Sequence, residues 1–135
     1  MGIKGIELSP FYYDIFLSIS MKEIKIWKIL EEEKKINDKT TIVLDKKSEN
    51  FILAKFSTLN EKIIITVSDN YSIKIWNLEK LFYIHEIPAF DVIVKNIIFP
   101  PNDESIIGIY SNQKFFIYDI NSQMKVYEIK KYTLL

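Results

Sequence analysis

Cysteine and arginine are absent from this 135-residue chain, and glycine, proline and histidine are scarce, at three, four and one. Without cysteine there is no disulfide framework, no thiol nucleophile and no cysteine-based zinc site. Without arginine, the side chain most used to grip phosphates and base edges with two parallel hydrogen bonds is missing. All eighteen cations are lysine, balanced by eighteen acids to a formal charge of zero. No overall field therefore draws the chain to nucleic acid or to an acidic membrane. The abundance of Ile, Lys, Asn and Tyr matches codons rich in A and T, which takes functional weight off the lysines. Gly2, Gly5 and Gly108 stand apart, so no glycine-rich loop cradles a phosphate.

Uninterrupted apolar runs last only a few residues, far short of a membrane span, and no charged region followed by a long apolar one opens the chain. Met1-Gly2 lacks the Ser or Thr that a myristoylation signal needs at the sixth position, where Ile6 stands. Asn70-Tyr71-Ser72 has the form of a glycosylation sequon, but its place in a tight turn makes chance the better account. The expected setting is intracellular, cytoplasmic rather than nuclear, with no cofactor and no metal.

What the chain does have is apolar and aromatic mass, 48% and 14% of its residues, enough for one packed domain spanning 1–135. A cadence repeats three times: strand, turn, strand, tighter turn, and a third strand ending on an aromatic. The endings are Ile24-Lys25-Ile26-Trp27-Lys28, Ile73-Lys74-Ile75-Trp76-Asn77 and Phe115-Phe116-Ile117-Tyr118-Asp119, and their aromatics lie 49 and 42 residues apart. Such a period marks stacked repeats. Runs of β-branched and aromatic residues bounded by turn residues predict strands over 3–8, 15–19 and 24–29, then 51–56, 63–67 and 72–78, then 94–99, 105–110 and 115–120. A weaker fourth strand follows each set, over 41–44, 82–87 and 124–129. Four antiparallel strands in a unit of roughly 40 to 45 residues describe a propeller blade, which divides the chain at about 1–47, 48–90 and 91–135.

Ile63-Ile64-Ile65 and Asn96-Ile97-Ile98-Phe99 are nearly continuous apolar runs, as expected of strands covered on both faces by neighbouring blades. The first period is lengthened by Glu31-Glu32-Glu33-Lys34-Lys35 and the polar stretch to Lys39, which reads as a solvated loop or one helical turn.

The residues from Thr66 to Asn77 resemble the end of a WD40 repeat. Ser18 to Trp27 echoes them with a turn one residue shorter, and Gly108 to Asp119 keeps the spacing with Tyr118 in place of tryptophan. Leu8-Ser9-Pro10, Phe56-Ser57-Thr58 and Phe99-Pro100-Pro101 are similar to the family's first-strand endings. The resemblance implies an all-β fold: a WD40-like β-propeller segment of three four-stranded antiparallel blades, an open arc or part of a larger ring. Trp27, Trp76 and Tyr118 are then structural blade aromatics packed in the core. The family often carries a histidine before the first strand that joins a Ser or Thr, an Asp and the Trp in a buried hydrogen-bonded set. Here the one histidine, His85, falls in a fourth strand, with Thr66 and Trp76 kept in repeat two and Asn70 where the turn Asp would stand; repeats one and three carry Met21 and Asn112 there. The blades are therefore expected to rest on apolar packing more than on that set. The acidic insertion after repeat one, together with Trp76-Asn77-Leu78-Glu79-Lys80, resembles the early blades of coronins, which implies actin as a partner.

Phe11, Tyr12 and Tyr13 form the strongest partner-binding candidate, three aromatics in a turn where sheet packing does not demand them. The alternative is that one or two fold back over the blade edge. Tyr71 is the second candidate, in a tight turn where small residues are usual. His85 and Glu86 are adjacent on a strand and point to opposite faces, so His85 reads as a plain edge-strand histidine. Asp69, Asp103 and Glu104 fall in turns, where they serve backbone geometry, and no paired carboxylates define a hydrolytic cleft; no catalytic residue is assigned. Lys130-Lys131-Tyr132 interleaves cations with an aromatic, but net neutrality argues against nucleic acid.

Propellers close with four to eight blades. Three would leave an apolar face open at each end, which a soluble monomer rarely tolerates. The faces are covered by further blades of a longer propeller, by a second copy that completes a six-bladed ring, or by the chain's own ends; a segment of a longer propeller is the reading preferred. The expected function is a non-enzymatic protein–protein interaction scaffold. The alternatives are a coronin-like actin-associated protein and a truncated propeller fragment without independent function.

Overall fold

A computed structural model describes residues 2–43, 49–80, 82–87, 94–103, 105–111 and 114–130, with backbone alone at 38, 82–84 and 130. Met1, Leu44, Glu104, Asn112, Lys131 and Tyr132, named above, lie outside the described residues. Among the described residues, twelve strands make up three separate sheets. The first holds β1 (Gly5–Leu8), β2 (Ile15–Ile19), β3 (Glu23–Leu30) and β4 (Lys35–Val43). The second holds β5 (Phe51–Phe56), β6 (Ile63–Ser68), β7 (Ile73–Asn77) and β8 (Phe82–Ile87). The third holds β9 (Val94–Ile98), β10 (Ile106–Ser111), β11 (Lys114–Asp119) and β12 (Met124–Lys130). Each is an antiparallel meander in chain order, the blade expected from the repeats.

The repeat extends to a shared irregularity. In every blade the ladder between third and fourth strands slips by one residue beside the aromatic, between Ile26 and Trp27, Ile75 and Trp76, and Ile117 and Tyr118. Lys39, Ile84 and Val126 are the extra residues of these bulges, which increase local twist and turn the outer strand away from the flat sheet.

Two seams hold the blades together. Leu17, Ile19, Ile24, Ile26 and Ile42 of blade 1 pack on Phe51, Ala54, Phe56, Ile64 and Trp76 of blade 2. Ile65, Val67, Ile73, Ile75 and Ile87 of blade 2 pack on Val94, Ile97, Ile107, Ile109, Phe116 and Tyr118 of blade 3. Successive residues on a strand face opposite ways. Ile64 therefore belongs to one seam and Ile65 to the next, which is why β6 reads as an unbroken apolar run.

Residues 31–34 form a tight turn closed by the Lys34 amide donating to the Glu31 carbonyl at 3.2 Å, and β4 runs from Lys35 through the polar stretch. Of the segment read as a solvated loop or helical turn, Glu31 to Lys34 is an exposed turn, while Lys35 to Lys39 belongs to the outer strand of a hairpin. Lys34 takes the left-handed conformation that closes it (φ 52°). Trp27, expected in the core, is half-buried on the open face of blade 1, stacked on Phe16 with ring centroids 6.3 Å apart. Trp76 and Tyr118 are buried as expected.

Candidate functional site

At one end of the arc lie the turns that join first to second and third to fourth strands. A serine pins the β1–β2 loop. The Ser9 hydroxyl accepts from the amides of Phe11 and Tyr12, each at 3.1 Å, and Ser57 does the same for Leu59 and Asn60 in the β5–β6 loop of blade 2. The Tyr12 hydroxyl donates to Glu61 Oε2, tying the two loops across the seam. That bond, with the negative charge beside it, raises the Tyr12 phenol above its ordinary pKa. Phe11 and Tyr12 keep roughly half of their surface exposed, while Tyr13 is 84% exposed. The three neighbours thus part company: Tyr12 is held, and Tyr13 projects.

Tyr13 borders a groove of about 410 Å³ lined also by Asp14, Lys28, Ile29 and the Glu31-Glu32-Glu33 turn. A second groove, of about 520 Å³, follows the seam between blades 1 and 2 past Tyr12, Ile26, Glu61 and the Lys62–Glu79 ion pair (3.2 Å). In the first groove the Tyr13 ring beside the Glu31-Glu32-Glu33 carboxylates suits a cationic or amphipathic segment of a partner, whereas in the second Lys28, Lys39 and Lys62 balance Asp14, Glu61 and Glu79. Among the described residues, no three His, Cys, Asp or Glu side chains gather as metal ligands would.

At the opposite end lies Tyr71. It occupies the β6–β7 turn with φ 68°, its amide donating to the Ser68 carbonyl at 3.0 Å. A bulky residue in this left-handed region is uncommon. Its side chain is half-buried, so Tyr71 and the Phe11-Tyr12-Tyr13 group do not form one site.

Sequence reasoning missed Glu49. It precedes β5 and is buried, accepting from the Ser68 hydroxyl at 2.7 Å and facing the Lys74 ammonium at 3.9 Å. Its carbonyl accepts from the Lys22 ammonium of blade 1. The next residue, Asn50, donates through its backbone and side-chain amides to the two oxygens of Asp69, both at 2.9 Å. These bonds hold the Asp69 carboxyl below its ordinary pKa, the backbone amide contributing most. The turn acid is therefore Asp69; Asn70 instead accepts from the Ser72 amide within the turn. The Trp76 indole donates to Thr66 at 2.8 Å, and Trp27 to Ser18 at 2.9 Å. A polar set around an acid thus replaces the histidine-centred one, and apolar packing is not the whole account of blade 2. A buried acid before a first strand carries no local motif, because its partners Ser68 and Lys74 lie on β6 and β7, well beyond any short spacing pattern.

His85 departs from expectation too. Its ring is half-buried against Tyr118 of blade 3, centroids 6.4 Å apart, so it faces the second seam and is no plain edge residue. Glu86 points the other way and accepts from the Ser72 hydroxyl at 2.8 Å.

No family model matches the chain, and no curated protein sequence does. Solved structures do. The C-terminal WD40 domain of Sif2 superposes with a TM-score of 0.77 at 11% identity, over 95% of this chain and 37% of that one. A chain of an active polycomb repressive complex 2 in the basal state gives 0.77 at 12% identity, over 94% and 30%. The chain spans about a third of the length of the structures it resembles. The fold is that of a WD40 propeller segment.

Proposed function

We propose that this chain is a non-enzymatic protein-interaction scaffold. Its contact surface is the loop end carrying Phe11, Tyr12, Tyr13 and the Glu31-Glu32-Glu33 turn. The observation that carries the reading is Tyr13: an aromatic 84% exposed on a loop already fixed by Ser9 and by the Tyr12–Glu61 bond. A ring presented on a preorganised loop costs little further ordering when a partner binds. Support also comes from the fold, since one similar chain belongs to a multiprotein complex, the polycomb repressive complex 2. The partner chemistry that fits is a lysine- or arginine-bearing segment, and the expected setting is intracellular.

Affinity capture with the chain and with a Phe11→Ala/Tyr13→Ala double variant, followed by quantitative mass spectrometry, tests this reading. Proteins retained by the first and lost at least tenfold by the second are expected. An identical retained set for both would sink it. The finer reading, a coronin-like actin-associated protein, rests on the sequence resemblance alone, and its acidic insertion is the β3–β4 turn. Co-sedimentation with actin filaments decides it.

A further inference from the structure

The cross-strand register shows what the two end faces are built to meet. On the blade 2 face that meets blade 1, Ala54 pairs with Thr66 and Phe56 with Ile64, and Ile64 pairs in turn with Trp76. In blade 1, Ile6 pairs with Ser18 and Leu8 with Phe16, and Phe16 pairs with Trp27. Position for position this is the same face, but uncovered: Ile6 and Leu8 are 59% and 74% exposed where Ala54 and Phe56 are 0% and 7%. The far face of blade 3 is the complementary half. Gly108 pairs with Ile117 and Ile117 with Tyr127, as Ile65 pairs with Ile75 and Ile75 with His85 in blade 2. Phe115 leans over Gly108, whose absent Cβ would stand 3.0 Å from its ring, and so fills the place of the aliphatic side chain. Tyr127 and Ile98 on this face are exposed. Across the existing seam, His85 lies against Tyr118. The matching contact across a new seam sets Tyr127 against Trp27.

We propose that the partner of these faces is a second copy of this chain, blade 3 of each covering blade 1 of the other. The two faces are different halves of one seam, and each copy carries both. A two-fold rotation forms both seams at once and closes six blades, within the range in which propellers close. This continues the interface already present twice inside the chain, and it goes beyond the loop-end reading because it uses neither loop.

Native mass measurement of the 135-residue chain at micromolar concentration tests the proposal. The expected species has twice the 16.0 kDa of one chain. Leu8→Lys and Tyr127→Lys place a charge on opposite halves of the seam at exposed positions, and each is expected to halve the native mass while leaving the far-UV circular dichroism unchanged. A one-copy mass for the unaltered chain overturns the proposal and leaves further blades as the cover. A two-copy mass indifferent to both substitutions also overturns it, as do species that lengthen with concentration.

Discussion

The two seams inside the molecule are built on the same positions and finished differently. Between blades 1 and 2, Trp76 is buried and its indole has the Thr66 hydroxyl to donate to, while the linker before β5 is bound to both blades through Glu49 and Asn50. Between blades 2 and 3, Tyr118 stands in the place of Trp76, and the register puts Ile109 where Thr66 would be. Its hydroxyl is buried with no hydrogen-bond partner among the described residues, and so is His85 Nε2 across the seam. The aliphatic and aromatic surfaces of the second seam are as completely buried as those of the first, without a bond at Tyr118 like that of Trp76. The polar set of the first seam does something separate: it ties Glu49 and Asn50, just ahead of β5, to both blades.

The largest effect should come from removing the first seam's anchor. Trp76→Ala deletes a buried side chain and leaves Thr66 without the indole, for an expected loss of about 3 to 5 kcal/mol. Chemical denaturation of the variant checks it, and an unchanged midpoint would remove Trp76 from the core. The same change at Trp27, half-buried on the open face, is expected to cost visibly less in a chain kept as a single copy.

Glu49→Ala comes next. It leaves the Ser68 hydroxyl without its acceptor and the Lys74 ammonium without its nearby carboxylate, for about 2 to 3 kcal/mol. If the apolar surfaces alone set the seam, the loss would stay within about 0.5 kcal/mol, the usual effect of a surface change.

These two residues also mark how much was legible in advance. Trp76 announced itself because a repeated aromatic at the end of a β-branched strand marks a position that a neighbouring blade covers, and that local pattern placed the first three strands of each blade. It could not show that Trp27 lies on an end face without such a cover. Glu49 did not, because a lone glutamate among polar neighbours is indistinguishable from a solvated one until Ser68 and Lys74 come round to meet it. The outer strand β4 was hidden for the opposite reason. Strands at the rim bury little, so Lys35 to Lys39 has the composition of a loop while following the ladder of β3. Of the candidate surface, the aromatics of the β1–β2 loop could be picked out as unneeded by packing. The parting of Tyr12 from Tyr13 could not, since it depends on Glu61, 49 residues further on.

The smallest expected effect has the opposite sign and bears on the second seam. Burial raises the Tyr118 phenol above its ordinary pKa, as expected of a hydroxyl removed from water without a partner. An unsatisfied buried hydroxyl costs about 1 to 3 kcal/mol, against which the ring recovers only its packing. Tyr118→Phe keeps the ring against His85 and removes the hydroxyl, so the variant should be more stable by about 1 kcal/mol. Ile109→Thr in the native background should act in the same direction only if the new hydroxyl reaches Tyr118, as Thr66 reaches Trp76. A Tyr118→Phe variant that unfolds earlier than the native chain would mean that the hydroxyl is bonded after all, and that the second seam is finished like the first.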